Sequence, residues 1–164
     1  MKTVALSLML MLVAVPAFAQ STPGSGTFGI GTSIAGILGN DIATVANGLH
    51  ASYFVTNNID LTGGIGLSTV KDVGTVFSFD VAGFYRFTRA QLAPFIGGGI
   101  FISVNSPSAQ NAKSTTQFGL ILGGGAEYYF SKNFGMNLLE GIQFNTEPTT
   151  FGFVSKMGVN WYFN

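Results

Sequence analysis

Residues 157–164 form the stretch Met157-Gly158-Val159-Asn160-Trp161-Tyr162-Phe163-Asn164, which decides the fold. Side chains of an extended strand alternate between its two faces. The face with Val159, Trp161 and Phe163 is apolar and ends in two aromatic rings, whereas the opposite face carries glycine, asparagine and tyrosine. One apolar, aromatic face and one small or polar face are typical of a strand that borders lipid on one side.

Seven earlier segments repeat this alternation. The segments span about residues 27–36, 48–55, 59–70, 76–87, 92–103, 117–130 and 134–145, and the last one spans 151–163. Strands of roughly this length cross a bilayer when they are tilted. Short turns are expected at 56–58, 88–91 and 131–133, and longer polar loops at 37–47 and 104–116. The sequence therefore predicts an all-β fold, an eight-stranded antiparallel up-and-down transmembrane β-barrel with both termini in the periplasm.

The composition agrees with a surface that borders lipid. Only 9% of the residues are charged, against about 25% in typical soluble domains. The seven basic and seven acidic residues cancel, so there is no net field to attract nucleic acid. The sequence has no cysteine, which excludes disulfides and thiolate metal sites. A soluble barrel with an apolar interior, of the lipocalin kind, stays open as an alternative.

The first residues have the pattern of a secretory signal. Lys2 precedes an apolar run from Val4 to Val15, and Ala17-Phe18-Ala19 is a small-x-small cleavage motif. We therefore expect a signal peptide over residues 1–19, a short polar periplasmic tail over 20–26 and the barrel over 27–164. No later apolar run reaches the ~18 residues of a membrane-spanning helix.

Residues 26–164 resemble the small outer-membrane β-barrel proteins of Gram-negative bacteria, the OmpA/OmpX-like, porin-like superfamily. The resemblance rests on 94–100 (PFIGGGI), on 123–130 (GGGAEYYF) with the turn 131–133, and on the aromatic terminal strand. It implies an integral protein of the cell outer membrane with a structural, envelope-integrity or surface-interaction role and no catalysis. The implied partners are outer-membrane lipids and the barrel-assembly machinery, and the implied state is a monomer.

The terminal strand is also the expected assembly signature of such a barrel, through Val159, Trp161 and Phe163. Members of this superfamily usually end on the aromatic residue itself. In this sequence Asn164 follows Phe163.

Five charged residues fall on polar strand faces and are expected to point into the lumen. They are Asp60, Asp80, Arg86, Glu127 and Lys156. The lumen of an eight-stranded barrel is barely wide enough for its own side chains, and buried charges need partners. We therefore expect a structural network of paired charges that fills the lumen. The alternative is that the same residues line a narrow channel for small solutes.

Glu140 breaks the pattern of the seventh segment. Periodicity places it on the apolar face, with Met136, Ile142 and Phe144, where a carboxylate is costly. Either a bulge near Leu138-Leu139 turns Glu140 inward, which we favour, or the apolar face of this strand points into the lumen.

One pair of residues invites an enzymatic interpretation. Barrel enzymes that deacylate lipid A use a His-x-Ser pair, and His50-Ala51-Ser52 has that spacing. The pair lies on the polar face of the second segment, away from a lipid substrate, and the family's asparagine does not follow Ser52. The glycine runs 97–99 and 123–125 lack the helix that a phosphate-binding loop requires. We therefore predict no catalytic, cofactor-binding or metal-binding residues, and keep a lipid-modifying enzyme as the weakest alternative.

Overall fold

The structure is a computed structural model that describes residues 22–38, 48–70, 74–108, 113–146 and 149–163. Eight strands form a closed antiparallel barrel in which each strand pairs with its neighbours in sequence. They are β1 (Phe28–Leu38), β2 (Gly48–Phe54), β3 (Ile59–Val70), β4 (Gly74–Arg86), β5 (Leu92–Pro107), β6 (Thr115–Ser131), β7 (Phe134–Thr146) and β8 (Thr149–Phe163). The predicted fold class is confirmed. The signal peptide predicted over 1–19 lies outside the described residues, as does Asn164.

The barrel closes between its first and last strands. Phe28 of β1 pairs with Phe163 of β8, and the register runs without a break to Leu38 opposite Phe153. The pairing of β1 with β8 closes the sheet on itself, and closure of this kind is what a barrel in hydrocarbon requires. The stretch 157–163 therefore forms the closing seam of the molecule.

The alternation of side chains separates an apolar outer face from a polar lumen. Large apolar side chains such as Leu61, Phe79 and Leu122 are exposed on the outside. Their neighbours Asp60, Ser78 and Gly123 belong to the inner face, where Asp60 and Ser78 are buried. In the part of the chain that the structure describes, no helix is long and apolar enough to span a membrane.

Aromatic rings gather at both ends of the outer face. At one end lie the short turns 55–58, 87–91 and 132–133, and we call it the turn end. There Tyr128 contacts Phe130 at 5.0 Å between ring centroids, and Phe134 contacts Trp161 at 5.8 Å. At the opposite end Phe144 and Phe151 lie 5.7 Å apart. Two aromatic girdles of this kind mark the two interfaces of a membrane.

The prediction for the connection between β5 and β6 is wrong in detail. The loop predicted over 104–116 is shorter, because β5 continues to Pro107 and β6 begins at Thr115. Val104 and Asn105 pair with β4 on one side and with Thr116 and Thr115 of β6 on the other. Backbone pairing with β4 and β6 sustains this extension although its side chains are largely polar, a composition that is typical of loops.

Glu140 matches neither alternative drawn from the sequence. The register of β7 with β6 is continuous from Asn145 to Gly135, so there is no bulge near Leu138-Leu139; the one irregularity lies between Tyr129 and Ser131. Met136, Ile142 and Phe144 are exposed on the outer face, so the apolar face of β7 is not the lumen side. Glu140 is exposed on that same outer face.

Candidate functional site in the barrel lumen

Arg86, at the end of β4, binds two carboxylates inside the barrel. Its Nε lies 2.9 Å from Oδ1 of Asp60, and its Nη1 lies 2.7 Å from Oε2 of Glu127. The exposed fractions of Asp60, Arg86 and Glu127 are 1%, 6% and 0%. Charges as deeply buried as these persist only when they are paired and hydrogen-bonded. The structure therefore brings three of the five predicted lumen charges into one group.

Besides its ion pair with Arg86, Glu127 accepts hydrogen bonds from three other side chains. The hydroxyl of Tyr162 donates to its Oε1 at 2.6 Å, and Nδ2 of Asn160 donates to the same oxygen at 2.7 Å. The hydroxyl of Tyr129 donates to Oε2 at 3.1 Å. Because each carboxylate oxygen has two polar partners, the desolvation of the buried anion is offset. We call Asp60, Arg86, Glu127, Tyr129, Asn160 and Tyr162 the Glu127 cluster.

Aromatic side chains enclose the cluster at the turn end. The guanidinium of Arg86 lies 5.1 Å from the ring centre of Phe54 and 5.5 Å from that of Phe95, within the range of cation–π attraction. Phe54 and Ala93 are at most 1% exposed and form a buried apolar layer with the rings of Tyr129 and Tyr162. The charged groups are thereby shielded from solvent at this end of the lumen.

The other two predicted charges form a separate, looser pair. Nζ of Lys156 lies 3.8 Å from Oδ1 of Asp80, and both side chains keep some exposure. A cavity of about 80 Å³ is lined both by this pair and by members of the Glu127 cluster, Asp60 and Arg86 among them. Such a volume has room for a few water molecules.

His50 and Ser52 also face the lumen, but the structure does not join them. Nε2 of His50 lies 2.5 Å from Oδ1 of Asn160 and so links this histidine to the Glu127 cluster. The hydroxyl of Ser52 is buried without a hydrogen-bond partner among the described residues. A hydrolase needs its serine within hydrogen-bond reach of the activating base, and this arrangement does not provide that contact.

Sequence reasoning missed Tyr129, Asn160, Tyr162 and His50 as members of the site, although it placed them on inner faces. A signal for them exists in the glycines of neighbouring strands. A Cβ at Gly31 would lie 2.5 Å from Nε2 of His50, and one at Gly135 would lie 2.7 Å from Oε1 of Glu127. Real Cβ atoms do not approach that closely, so these glycines provide the space that the large polar side chains occupy.

Within the described ranges, no three histidine, cysteine or carboxylate side chains are placed to hold a metal ion.

Both the sequence and the fold match known proteins. A family profile described as "Outer membrane protein beta-barrel domain" matches residues 5–159. The chain belongs to this family. It is an integral β-barrel protein of the outer membrane. Outer-membrane barrels place their short turns in the periplasm, so we expect the turn end, with the Glu127 cluster, to be the periplasmic end.

Several solved β-barrel structures share the fold. The N-terminal β-barrel domain of Pseudomonas aeruginosa OprF has a TM-score of 0.70 at 20% identity, over 86% of this chain and all 100% of that one. Neisserial surface protein A (NspA) has a TM-score of 0.51 at 13% identity, over 82% of this chain and 94% of that one. A structure from the de novo design of transmembrane β-barrels has a TM-score of 0.51 at 15% identity, over 87% and 99%. No curated protein matched the chain.

Membership of this family makes the position of Glu140 unusual. Glu140 lies halfway along β7, between Phe134 and Phe144 of the two girdles, and therefore faces the middle of the hydrocarbon. Its Oε1 accepts a 2.7 Å hydrogen bond from Oγ of Ser155, which lies opposite on β8. The serine hydroxyl satisfies one acceptor of a carboxyl group that lipid cannot solvate.

Proposed function

We propose that the protein is a sealed structural barrel of the outer membrane, which contributes to envelope integrity or to contacts at the cell surface and does not catalyse a reaction. The observation that carries this proposal is the Glu127 cluster. It occupies the lumen at the turn end with six side chains from β3, β4, β6 and β8, which are linked through Arg86 and Glu127. Side chains held by this many buried bonds block the passage of solutes.

The proposal extends to the partners of the barrel. The apolar outer face and its two aromatic girdles suit outer-membrane lipids, and the seam of β8 with β1 suits insertion by the barrel-assembly machinery. The seven basic and seven acidic residues balance, so the protein as a whole has no net positive field to attract nucleic acid, and we propose no nucleic-acid partner. We propose that one copy of the chain is sufficient, because its eight strands already close on themselves.

Conductance measurements on the refolded protein in planar bilayers test the seal. We expect no discrete current steps above the background of protein-free bilayers. Steady ion-selective steps whose selectivity changes in Lys156→Gln would instead favour a narrow channel, because Lys156 lines the central cavity.

The envelope role needs a test in cells. We expect a strain without the protein to become more sensitive to detergents, and expression of the wild-type chain to restore resistance. Ser52→Ala should restore resistance equally well if no hydrolysis is involved. A Ser52→Ala chain that assembles at wild-type levels and yet fails to restore resistance would favour the lipid-modifying alternative.

A further inference from the structure

Residues 22–27 fold across the periplasmic mouth of the barrel. Oγ1 of Thr22 donates to the backbone oxygen of Arg89 at 2.9 Å, and Nη2 of Arg89 donates to the backbone oxygen of Thr22 at 3.3 Å. The backbone N–H of Ser25 donates to Oδ1 of Asn57 at 3.0 Å. The segment predicted to be a polar tail is thus tied to two periplasmic turns, 55–58 and 87–91.

This segment and the turns border an open pocket of about 420 Å³. Its lining includes Arg89, Lys132 and Asn57, together with the hydroxyl groups of Thr22, Ser25 and Thr27. Its lining contains two basic side chains and no carboxylate, and the other residues are glycines or carry hydroxyl and amide groups. Arg89 and Lys132 come from different turns, and both are exposed.

Nothing in the described part of the chain neutralises these two cations. The ion pairs there belong to Arg86 and Lys156. The acidic side chains nearest to this end in sequence are Asp60 and Glu127, and both are buried and bonded to Arg86. The described periplasmic turns contain no aspartate or glutamate. Among the described residues, the mouth therefore presents two positive charges with no carboxylate paired to them, which a ligand or solvent ions can compensate.

We infer that this mouth binds a phosphate-bearing anion through Arg89 and Lys132. An arginine guanidinium matches two phosphate oxygens at once, and lysine adds a mobile point charge. The anion is either the headgroup of an anionic phospholipid of the inner leaflet or free phosphate. The headgroup is favoured because Lys132 lies in the turn between Phe130 and Phe134, whose rings are 5.6 Å apart in the periplasmic girdle. Aromatic girdles lie at the level of lipid headgroups.

Binding measurements on the refolded full-length chain in non-ionic detergent micelles test this inference. The probes are short-chain phosphatidylglycerol, short-chain phosphatidylcholine and inorganic phosphate. One basic residue near an anionic headgroup is worth about a fivefold change in affinity. We therefore expect Arg89→Gln and Lys132→Gln each to weaken phosphatidylglycerol binding about fivefold, and the double variant about 25-fold. Lys113→Gln removes an exposed charge outside the strands and away from the pocket, and should leave the affinity unchanged.

The three probes also distinguish the two sources of the anion. Preference for phosphatidylglycerol without competition by inorganic phosphate supports the lipid headgroup, and competition at similar concentrations supports free phosphate. Equal binding of the two lipids with no effect of phosphate would overturn the inference. A loss in Lys113→Gln as large as that in the pocket variants would also overturn it, since it would indicate a general charge effect. Heat-modifiable migration of each variant on gels verifies that it is folded.

Discussion

Replacing Arg86 with methionine tests whether the Glu127 cluster stabilises the barrel. Methionine retains much of the length of the side chain and its packing against Phe54 and Phe95, but it removes the positive charge. Asp60 and Glu127 then remain as two buried carboxylates without their cation. Removal of one partner from a buried ion pair typically costs about 3–5 kcal/mol. We expect Arg86→Met to lower the free energy of unfolding by that amount.

The double variant Arg86→Met with Glu127→Gln tests whether the unpaired carboxylates cause the loss of stability in Arg86→Met. A neutral glutamine at 127 removes one of the two stranded charges, so the double variant should recover about 1–2 kcal/mol relative to Arg86→Met. Urea unfolding in phospholipid vesicles measures these differences through the fluorescence of Trp161, which is the only tryptophan of the chain. Trp161 is 52% exposed on the outer face, so its emission reports departure from lipid.

The exposed Lys113→Met provides the control, with an expected stability close to that of the wild type. The reasoning is refuted if Arg86→Met unfolds within about 1 kcal/mol of the wild type, or if the double variant is no more stable than the single one. The first result, together with altered bilayer current, would indicate a hydrated lumen in which water already screens the charges.

Three further predictions concern the outer face and the seam. Cysteine at Leu61 should react with lipid-phase reagents and cysteine at Thr62 should not; the reverse pattern would contradict the orientation of β3. Phe163→Ala should reduce the yield of heat-modifiable protein in the outer membrane more than Asn164→Ala does, and equal yields would argue against the assembly signature. Glu140→Leu should raise the free energy of unfolding by about 1–2 kcal/mol, since acidic residues at the midplane cost less than the ~2–4 kcal/mol of basic ones; unchanged urea midpoints would count against a lipid-facing carboxyl group.

The strand order and the orientation of nearly every side chain could be predicted from alternation alone. The period of two is imposed by the backbone, and lipid on the outside makes the pattern easy to recognise. The prediction failed where pattern and chemistry disagree. For Glu140, the cost of a carboxylate in lipid suggested a bulge, whereas the continuous pairing of β7 keeps the residue outside and Ser155 supplies a donor.

The sequence does not predict which residues form the Glu127 cluster, for a different reason. Alternation gives the face of a residue but not its height relative to residues on distant strands. Arg86 meets Glu127 across the lumen, and their strands β4 and β6 are not neighbours. Whether the five charges form one group or two depends on the stagger of the strands. The stagger follows from the pairing of all eight strands together.

The make-up of the Glu127 cluster also has a consequence for biogenesis. Glu127 gains two of its hydrogen-bond donors only when the final strand is in place, because Asn160 and Tyr162 belong to β8. A two-residue slip of that strand would displace both donors by about 7 Å and leave Glu127 with fewer partners, even though every side chain would keep its face. The hydrogen bonds of Glu127 thus favour the correct register of β8 over a two-residue shift, which would leave the pattern of the apolar surface unchanged. The Glu127 cluster is complete only when all eight strands are paired.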